Sequence, residues 1–278
     1  MAGNRVDRVS GIINGTGNFI LTEMELGKRP FDDVLAEAQK LGYAEADPTF
    51  DIDGTDAAHK LTILAAMAFG TPLDFPSVHC EGIGSVKPQD MEFARELGYR
   101  IKHLGIARAS DEGVELRVHP TLIADDALLA NVDGVLNAVR LEGDCAGPTV
   151  YSGAGAGRLP TASAVIADII DIARAGGKPV NSLGVPVSSL VPAKALAMDE
   201  VRCSWYLRLE AEDKPGVMSR LASCLSAEGI SIEALIQKPP VHDSATVPVL
   251  VLTNTAREDG LRRAVAAIEA LAEVREAP

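Results

Sequence analysis

Residues 38–60 read AQKLGYAEADPTFDIDGTDAAHK and place an acidic loop between two helical patterns. The first pattern predicts a helix over Phe31–Leu41, and Gly42 is a natural C-cap for it. The second pattern predicts a strongly apolar helix over Asp56–Phe69. These two helices and the loop between them are the most informative part of the chain.

Strand patterns lie on both sides of this segment along the chain. Arg5–Asn14 is partly β-branched and alternating, and residues 15–18 turn the chain into a helix at Phe19–Leu26. Later elements are a helix at Glu92–Leu97, strands at Tyr99–Ala109, Val114–His119, Val135–Leu141 and Thr149–Tyr151, and a helix at Thr161–Ala175. This order predicts an α+β fold, an open mixed sheet with helices on one face, rather than a doubly wound sheet.

The pattern changes after a stretch rich in glycine, proline and serine. Residues 176–201 are predicted to be a linker, so the chain divides into domains at 1–175 and 202–278. The second domain has strands at Trp205–Glu212, Ile230–Gln237, Val247–Thr253 and Glu273–Arg275, with helices at Gly216–Ala227 and Asp259–Leu271. The order βαββαβ is that of a ferredoxin-like domain.

Charge and composition narrow the classes of partner. The 278 residues carry a formal net charge of -13, so nucleic acid and anionic membranes are not expected as partners. No apolar run is long enough for a membrane helix, and no secretory signal is visible at Met1–Ser10. The cysteines are far apart and the histidines scattered, which predicts reduced thiols in a cytoplasmic protein and no metal site. Small polar ligands are the expected partners.

Five carboxylates crowd the acidic loop and the start of the helix after it. They are Glu45, Asp47, Asp51, Asp53 and Asp56. This exceeds what helix capping needs, and the group would repel itself unless a cation or an ammonium ligand shares the site. Asp56 and Lys60 are four residues apart and can pair on one helix face. A lysine held in this way can be oriented for proton transfer.

Three interpretations of this loop compete on spacing. One is a solvated acidic loop. A second is a calcium loop, but aligning Asp53 and Gly54 with an EF-hand puts Lys60 where the bidentate glutamate belongs, which excludes that geometry. The third is an ammonium-substrate site with a proton-transfer lysine. Spacing alone leaves the first and third open.

The same stretch resembles the signature of homoserine dehydrogenases. Ala38 is followed by Gly42-Tyr43-Ala44, Asp47-Pro48, Asp51-Ile52, Gly54, Asp56 and Lys60 at that family's intervals, and residues 10–16, SGIINGT, are also similar. The resemblance extends over most of residues 1–175. It implies NAD- or NADP-dependent interconversion of L-aspartate 4-semialdehyde and L-homoserine, in threonine, methionine and isoleucine biosynthesis.

Roles for individual residues follow from the resemblance. It implies that Lys60 is the proton donor, Asp56 orients it, and Asp51 acts in catalysis or substrate binding. It implies substrate contacts for Glu45, through the substrate ammonium, and for Tyr43, Thr16 and Gly15. Plainer roles stay open for two of them: packing for Tyr43, and a helix N-cap for Thr16.

Residues 153–157, GAGAG, superficially echo a dinucleotide-binding loop. Arg158 stands where the last glycine would be and no βαβ unit follows, so a plain turn remains open. The resemblance implies that Gly153 and Gly155 contact NAD or NADP through backbone atoms. The family's nucleotide-binding domain would precede Met1, so we expect this chain alone to bind NADPH poorly. We also expect the apolar face of the Thr161–Ala175 helix to be exposed, or buried in an oligomer.

The motif Asp213-Lys214-Pro215-Gly216-Val217 joins a strand to a helix in the second domain. Its turn can direct backbone amides at a small ligand. It resembles the loop of ACT domains, amino-acid-sensing modules that often pair edge to edge; a generic ferredoxin-like turn is the alternative. The resemblance implies a homo-oligomer and an amino-acid effector, threonine, near Asp213, Gly216 and Val217.

Two functions therefore compete. One is a homoserine dehydrogenase with feedback regulation, and the other is a non-catalytic regulator that binds amino acids. The acidic motif favours the enzyme, because a decayed site has no reason to keep Glu45, Asp51, Asp56 and Lys60 in register.

Overall fold

The computed structural model describes residues 3–178, 183–240 and 245–276. The chain forms two compact units, Met1–Leu196 and Ala197–Pro278. Within the described ranges, no helix combines the length and the apolar character needed to cross a membrane. All four cysteines, each of them in a described range, are free thiols.

The first unit is built on a six-stranded sheet. Its strands are β1 (Val6–Ile12), β2 (His79–Cys80), β3 (Tyr99–Ser110), β4 (Gly113–Ala124), β5 (Leu136–Gly143) and β6 (Gly147–Ala154). Their order across the sheet is β2-β4-β3-β1-β5-β6. β2 runs parallel to β4 and the remaining neighbours are antiparallel. This is the open mixed sheet predicted from the sequence.

Helices cover one face of that sheet, as predicted. They are α1 (Gly15–Gly27), α2 (Phe31–Leu41), α3 (Thr49–Ile52), α4 (Thr55–Phe69) and α5 (Pro88–Glu96). α1, α4 and α5 all lie against β3. Leu61 of α4 packs with Val9 and Val118 from the strands. On the opposite face Leu104 and Ile106 pack under a short 3-10 turn at Leu128–Asn131.

A buried ionic network fixes the segment between that turn and β5. Lys102 is 1% exposed, and its Nζ donates to Val132 O and Asp133 Oδ1, both at 2.8 Å. Arg100 bridges Asp133 and the buried Glu25 of α1, at 2.9 and 2.7 Å. Because every charge has a partner of opposite sign, burial is tolerated. The network ties α1 to residues 132–136, which lead directly to the site.

Residues 176–201, predicted to be a linker, are shared between the two units of the structure. Backbone hydrogen bonds join Val191 N to Gly70 O, and Val114 N to Lys194 O. Residues up to Leu196 therefore belong to the first unit, and the observed division lies between Leu196 and Ala197. These contacts are made by backbone groups, so composition could not reveal them.

The helix α6 (Arg158–Ala175) has no buried residue. Its large apolar side chains are exposed: Leu159, Val165, Ile166, Ile169, Ile170 and Ile172. In the single chain this apolar face is therefore exposed, which is one of the two states expected for it.

The second unit has the predicted ferredoxin-like order. Its main elements are β8 (Tyr206–Glu212), α7 (Val217–Ala227), β9 (Ile232–Gln237), β10 (Thr246–Thr253), α8 (Glu258–Glu269) and β12 (Val274–Glu276). The sheet order is β12-β8-β10-β9 and every pair is antiparallel. Two short strands, β7 (Arg202–Cys203) and β11 (Ala256–Arg257), pair separately. Leu209, Leu221, Val249 and Leu261 are central to its core.

Candidate active site

The site gathers at the point where β1 ends and α1 begins. Asn14, 6% exposed, is the N-cap of α1: its Oδ1 accepts a hydrogen bond of 2.7 Å from Gly17 N. The N-cap considered for Thr16 is thus supplied by Asn14. Thr16 instead donates to Tyr43 O at 2.7 Å, so its hydroxyl ties α1 to the acidic loop.

Asn14 also joins two of the predicted site carboxylates. Its Nδ2 donates to Asp51 Oδ1 at 2.7 Å and to Asp56 Oδ2 at 2.8 Å. Lys60 Nζ lies 2.6 Å from the same Asp56 Oδ2. The four side chains form one connected chain, Asp51–Asn14–Asp56–Lys60, which we call the relay. Three of its members were predicted from the sequence, and the structure brings them together.

Gly54 sets the path of the main chain between Asp51 and Asp56. Its φ is +83°, in the left-handed region, and a Cβ there would lie 2.9 Å from His103 Cε1 and 3.0 Å from Cys80 Sγ. Only glycine fits these two constraints. Cys80 donates to Asp53 O at 3.1 Å, and burial, aided by Asp53 and Glu81, raises the pKa of its thiol. The Cys80 hydrogen bond ties β2 to the acidic loop.

Tyr43 and Glu45 lie on the exposed outer part of the loop. The Tyr43 ring makes an edge-on contact with Phe19, with centroids 5.0 Å apart, so it packs while remaining partly exposed. The Glu45 carbonyl accepts a hydrogen bond from Gln39 Nε2 at 3.1 Å. Among the described residues, the Glu45 carboxylate has no hydrogen bond or ion pair, and it is exposed. The carboxylate is available to a ligand ammonium.

The predicted cofactor loop lies near Gly15, one of the predicted substrate residues, with Asn137 between them. A Cβ on Gly155 would be 2.0 Å from Asn137 Nδ2, and a Cβ on Gly15 would be 3.6 Å from Asn137 Oδ1. Asn137 is therefore packed between the start of α1 and the 153–157 loop. No atom of the described residues lies within 4 Å of the Cβ position of Gly153, so the outer side of this residue is open.

Sequence reasoning missed two asparagines. Asn14 lies inside the quoted motif at residues 10–16, but an uncharged amide gives no sign that it will meet two carboxylates in the fold. Asn137 lies in a predicted strand, and its buried Oδ1 has no hydrogen-bond partner among the described residues. An asparagine at the start of a helix favours an N-cap, but the helix was predicted to begin only at Phe19, so this signal did not point to Asn14.

In the second unit, the motif at 213–217 forms the β8–α7 turn. Gly216 has φ +91° and precedes α7, and Asp213 Oδ1 accepts from Gln237 Nε2 at 2.9 Å. Val217 is buried in the core, and its N–H is bonded to Lys214 O. The surface of this loop therefore consists of Asp213, Gly216 and their neighbours, with Val217 beneath.

Comparison with known proteins identifies both units. The homoserine dehydrogenase family model matches residues 1–170, and the ACT domain model matches residues 205–273. The chain belongs to the homoserine dehydrogenase family. The homoserine dehydrogenase of Neisseria gonorrhoeae is 54% identical over 276 residues, which is 98% of this chain and 63% of that relative.

Solved structures of the homoserine dehydrogenase family show the same fold. A homoserine dehydrogenase from Thiobacillus denitrificans has a TM-score of 0.94 and 50% identity, over 99% of this chain and 63% of that one. A hyperthermophilic archaeal homoserine dehydrogenase in complex with NADPH has a TM-score of 0.53 and 30% identity, over 63% of this chain and 49% of that one. The chain spans about 63% of the length of the Neisseria gonorrhoeae and Thiobacillus denitrificans relatives.

Proposed function

We propose that this chain carries the substrate-binding and catalytic residues of a homoserine dehydrogenase, which interconverts L-aspartate 4-semialdehyde and L-homoserine. The observation that carries the proposal is the relay, because it holds Lys60 at the exposed end of a chain of hydrogen bonds. The Lys60 side chain is 48% exposed and that of Asp56 is 21% exposed. Asp56 thus orients the Lys60 ammonium from the protein side, and the solvent side of the ammonium is open to a ligand.

Each residue has a role that its chemistry permits. In the direction of reduction, Lys60 gives a proton to the aldehyde oxygen as that oxygen becomes an alcohol, and its charge stabilises the developing alkoxide. Asp56 orients Lys60, and Asp51 supports the substrate site from the other end of the relay. The free carboxylate of Glu45 binds the substrate ammonium, since charge-assisted pairs of this type are strong. Tyr43, Thr16 and Gly15 shape the substrate pocket.

NAD or NADP supplies or accepts the hydride when it is bound. The open side of Gly153 fits the approach of a flat ring to bare backbone, and Gly155 keeps the loop close to Asn137. We assign Gly153 and Gly155 to this contact. The 153–157 loop lies beside Gly15, so a ring held there would be next to the substrate residues.

The proposal also covers regulation, oligomeric state and cellular location. The first unit binds substrate, and the second, an ACT domain, binds an amino-acid effector, threonine, at the loop of Asp213 and Gly216, with Val217 supporting the loop. The exposed apolar face of α6 and the edge pairing typical of ACT domains support a homo-oligomer. A biosynthetic dehydrogenase of this type belongs in the cytoplasm.

The direct test is a calorimetric titration of this chain with L-homoserine. We expect saturable binding that is at least roughly tenfold weaker in Glu45→Gln, because the ammonium loses its partner. Asp111→Asn, in the exposed β3–β4 turn, is the matched control and should bind as the unmodified chain does. No binding by the unmodified chain, or equal binding by Glu45→Gln, would contradict the proposal.

The regulatory part is tested with L-threonine. The chain should bind L-threonine through the second unit, and Asp213→Asn should weaken binding roughly tenfold. Glu233→Gln, an exposed acidic position on β9, is the control. Equal binding of L-threonine by the chain and by Asp213→Asn would remove Asp213 from the effector site.

A further inference from the structure

We propose that Asn14 is the positioning residue of the active site: it holds Asp51 and Asp56 in register with α1, and through Asp56 it directs Lys60. This inference rests on the proposed dehydrogenase function. Asn14 touches three elements at once: it caps α1 and donates to Asp51 on α3 and Asp56 on α4. The distances of 2.7 and 2.8 Å to the carboxylates are those of strong hydrogen bonds.

The orientation of the Asn14 amide is fixed by its partners. Gly17 N can only donate, so the oxygen of the amide must face it. Both carboxylates can only accept when ionised, so the nitrogen must face them. Both N–H hydrogens are therefore committed to carboxylates. If the amide were flipped, its oxygen would face the two carboxylates and its NH₂ group would face Gly17 N, so none of the three hydrogen bonds could form.

The two N–H groups matter because, by donating hydrogen bonds to both carboxylates, they reduce the repulsion between Asp51 and Asp56. Asp51 Oδ1 and Asp56 Oδ2 both lie within hydrogen-bond distance of one nitrogen. Two carboxylates this close repel unless donors are shared between them. Asn14 supplies donors from below and Lys60 supplies one from above, so Asp56 Oδ2 accepts from both.

Burial separates Asn14 from the position where a substrate would bind. Asn14 is 6% exposed, whereas the Lys60 side chain is 48% exposed. Asn14 therefore acts through Asp56 and does not itself meet the substrate. Because Asn14 lies two residues after the end of β1, it links the position of Lys60 to one of the two middle strands of the sheet.

Asn14→Asp is the sharpest variant, because aspartate keeps the shape and the N-cap but replaces both donors with acceptors. Turnover is measured in a hybrid enzyme, in which this chain replaces the matched part of the Thiobacillus denitrificans relative. We expect kcat to fall roughly 10- to 100-fold, with KM for L-homoserine changed less than about threefold. The loss should be smaller at about pH 5.5 than at about pH 8, since a protonated carboxyl restores a donor.

Two further variants separate positioning from structure. Asn14→Ser keeps the cap and one donor, and should recover part of the lost turnover. Asn18→Ser removes another buried asparagine of α1, whose Nδ2 donates only to backbone carbonyls within the described part of the chain. It should lower the melting temperature without altering the pH profile. Melting temperatures of all variants are compared in the chain alone.

Failure of the positioning role and failure of the dehydrogenase function give different results in these experiments. If the unmodified hybrid turns over L-homoserine while Asn14→Asp keeps its kcat and pH profile, Asn14 is not a positioning residue and the dehydrogenase function stands. If the unmodified hybrid shows no turnover and the unmodified chain binds no L-homoserine, the function fails and this inference fails with it.

Discussion

Lys60 Nζ lies 2.6 Å from Asp56 Oδ2, one turn earlier on α4. The pair is partly exposed, so it contributes little to the free energy of folding, about 0.3–0.5 kcal/mol for pairs of this spacing. Its contribution is geometric. Asp56 is held from the other side by Asn14, so it gives Lys60 a fixed partner at the surface of the site.

Replacing Asp56 with asparagine should separate these two contributions. In Asp56→Asn we expect the free energy of unfolding to change by less than about 1 kcal/mol, while kcat of the hybrid enzyme falls at least roughly tenfold. Urea unfolding and steady-state kinetics measure the two quantities. Asp47→Asn is the matched control, because Asp47 lies in the same loop and, among the described residues, is hydrogen-bonded to Thr49 alone, through its backbone N at 3.2 Å and its side chain. Equal kcat in both variants would show that Asp56 does not orient the lysine.

The contact between Gly155 and Asn137 predicts a coupled pair. In Gly155→Ala, the new Cβ meets Asn137 Nδ2 at 2.0 Å and must displace that side chain. We expect a loss of about 1–2 kcal/mol in the free energy of unfolding. The loss should largely disappear in an Asn137→Ala background, because the clashing atom is gone.

Gly153→Ala is the control for this pair, since nothing lies within 4 Å of its Cβ position and the variant should stay within about 0.5 kcal/mol. The measurement is urea unfolding of the four variants. Purely additive effects of Gly155→Ala and Asn137→Ala would contradict the close packing of Gly155 against the Asn137 side chain.

His119 should make the chain less stable in acid. Burial, and then the positive charge of Arg117, lower the pKa of His119 from 6.5 to about 4. The ring is neutral: Nδ1 lies 2.7 Å from Pro120 O, and Nε2 faces the Arg117 guanidinium at 3.1 Å, which can only donate. Between pH 4 and 6.5 the unfolded state binds the proton and the folded state does not. The free energy of unfolding therefore falls as pH drops through this window and is fully kept above it.

Urea unfolding at about pH 7 and about pH 4.5 tests this prediction. In His119→Gln the loss of stability between the two pH values should be roughly 2–3 kcal/mol smaller than in the unmodified chain. Some pH dependence should remain, because burial also lowers the pKa of His103. The exposed His59→Gln is the control. A variant that loses as much stability as the unmodified chain would show that His119 is not held neutral.

Much of the fold could be predicted from local pattern. α2 begins and ends at the predicted residues, because Phe31–Leu41 has a clear apolar face and Gly42 closes it at φ +76°. α1 begins four residues before the predicted start at Phe19. Its first turn, GTGN, contains poor helix formers, and the cap and the tertiary contacts of Asn14 and Asn18 override that preference.

One strand runs further than its sequence suggested. β4 was predicted to end at His119, before Pro120, but it continues to Ala124. Pro120 is tolerated because β2 pairs with β4 only at Arg117 and Val118, so the far side of Pro120 needs no hydrogen bond. Such edge positions depend on which strands pair, which a single strand pattern does not contain.

The candidate site, too, could be predicted from the sequence only in part. Asp56 and Lys60 could be paired from their spacing on one helix, because i and i+4 residues are neighbours. The distance from Asn14 to Asp51 joins residues 37 positions apart, and that from Asn14 to Asp56 joins residues 42 positions apart. Contacts of this kind arise only when β1, α3 and α4 have packed.

The central claim is that Lys60 transfers the proton, and Lys60→Met tests it most directly. Methionine keeps much of the length and apolar character of the stem but cannot carry a proton. We expect kcat of the hybrid enzyme for L-homoserine oxidation to fall roughly 100- to 10,000-fold, with calorimetric binding of L-homoserine to the chain within about threefold of the unmodified protein. A variant that keeps its kcat would contradict the account.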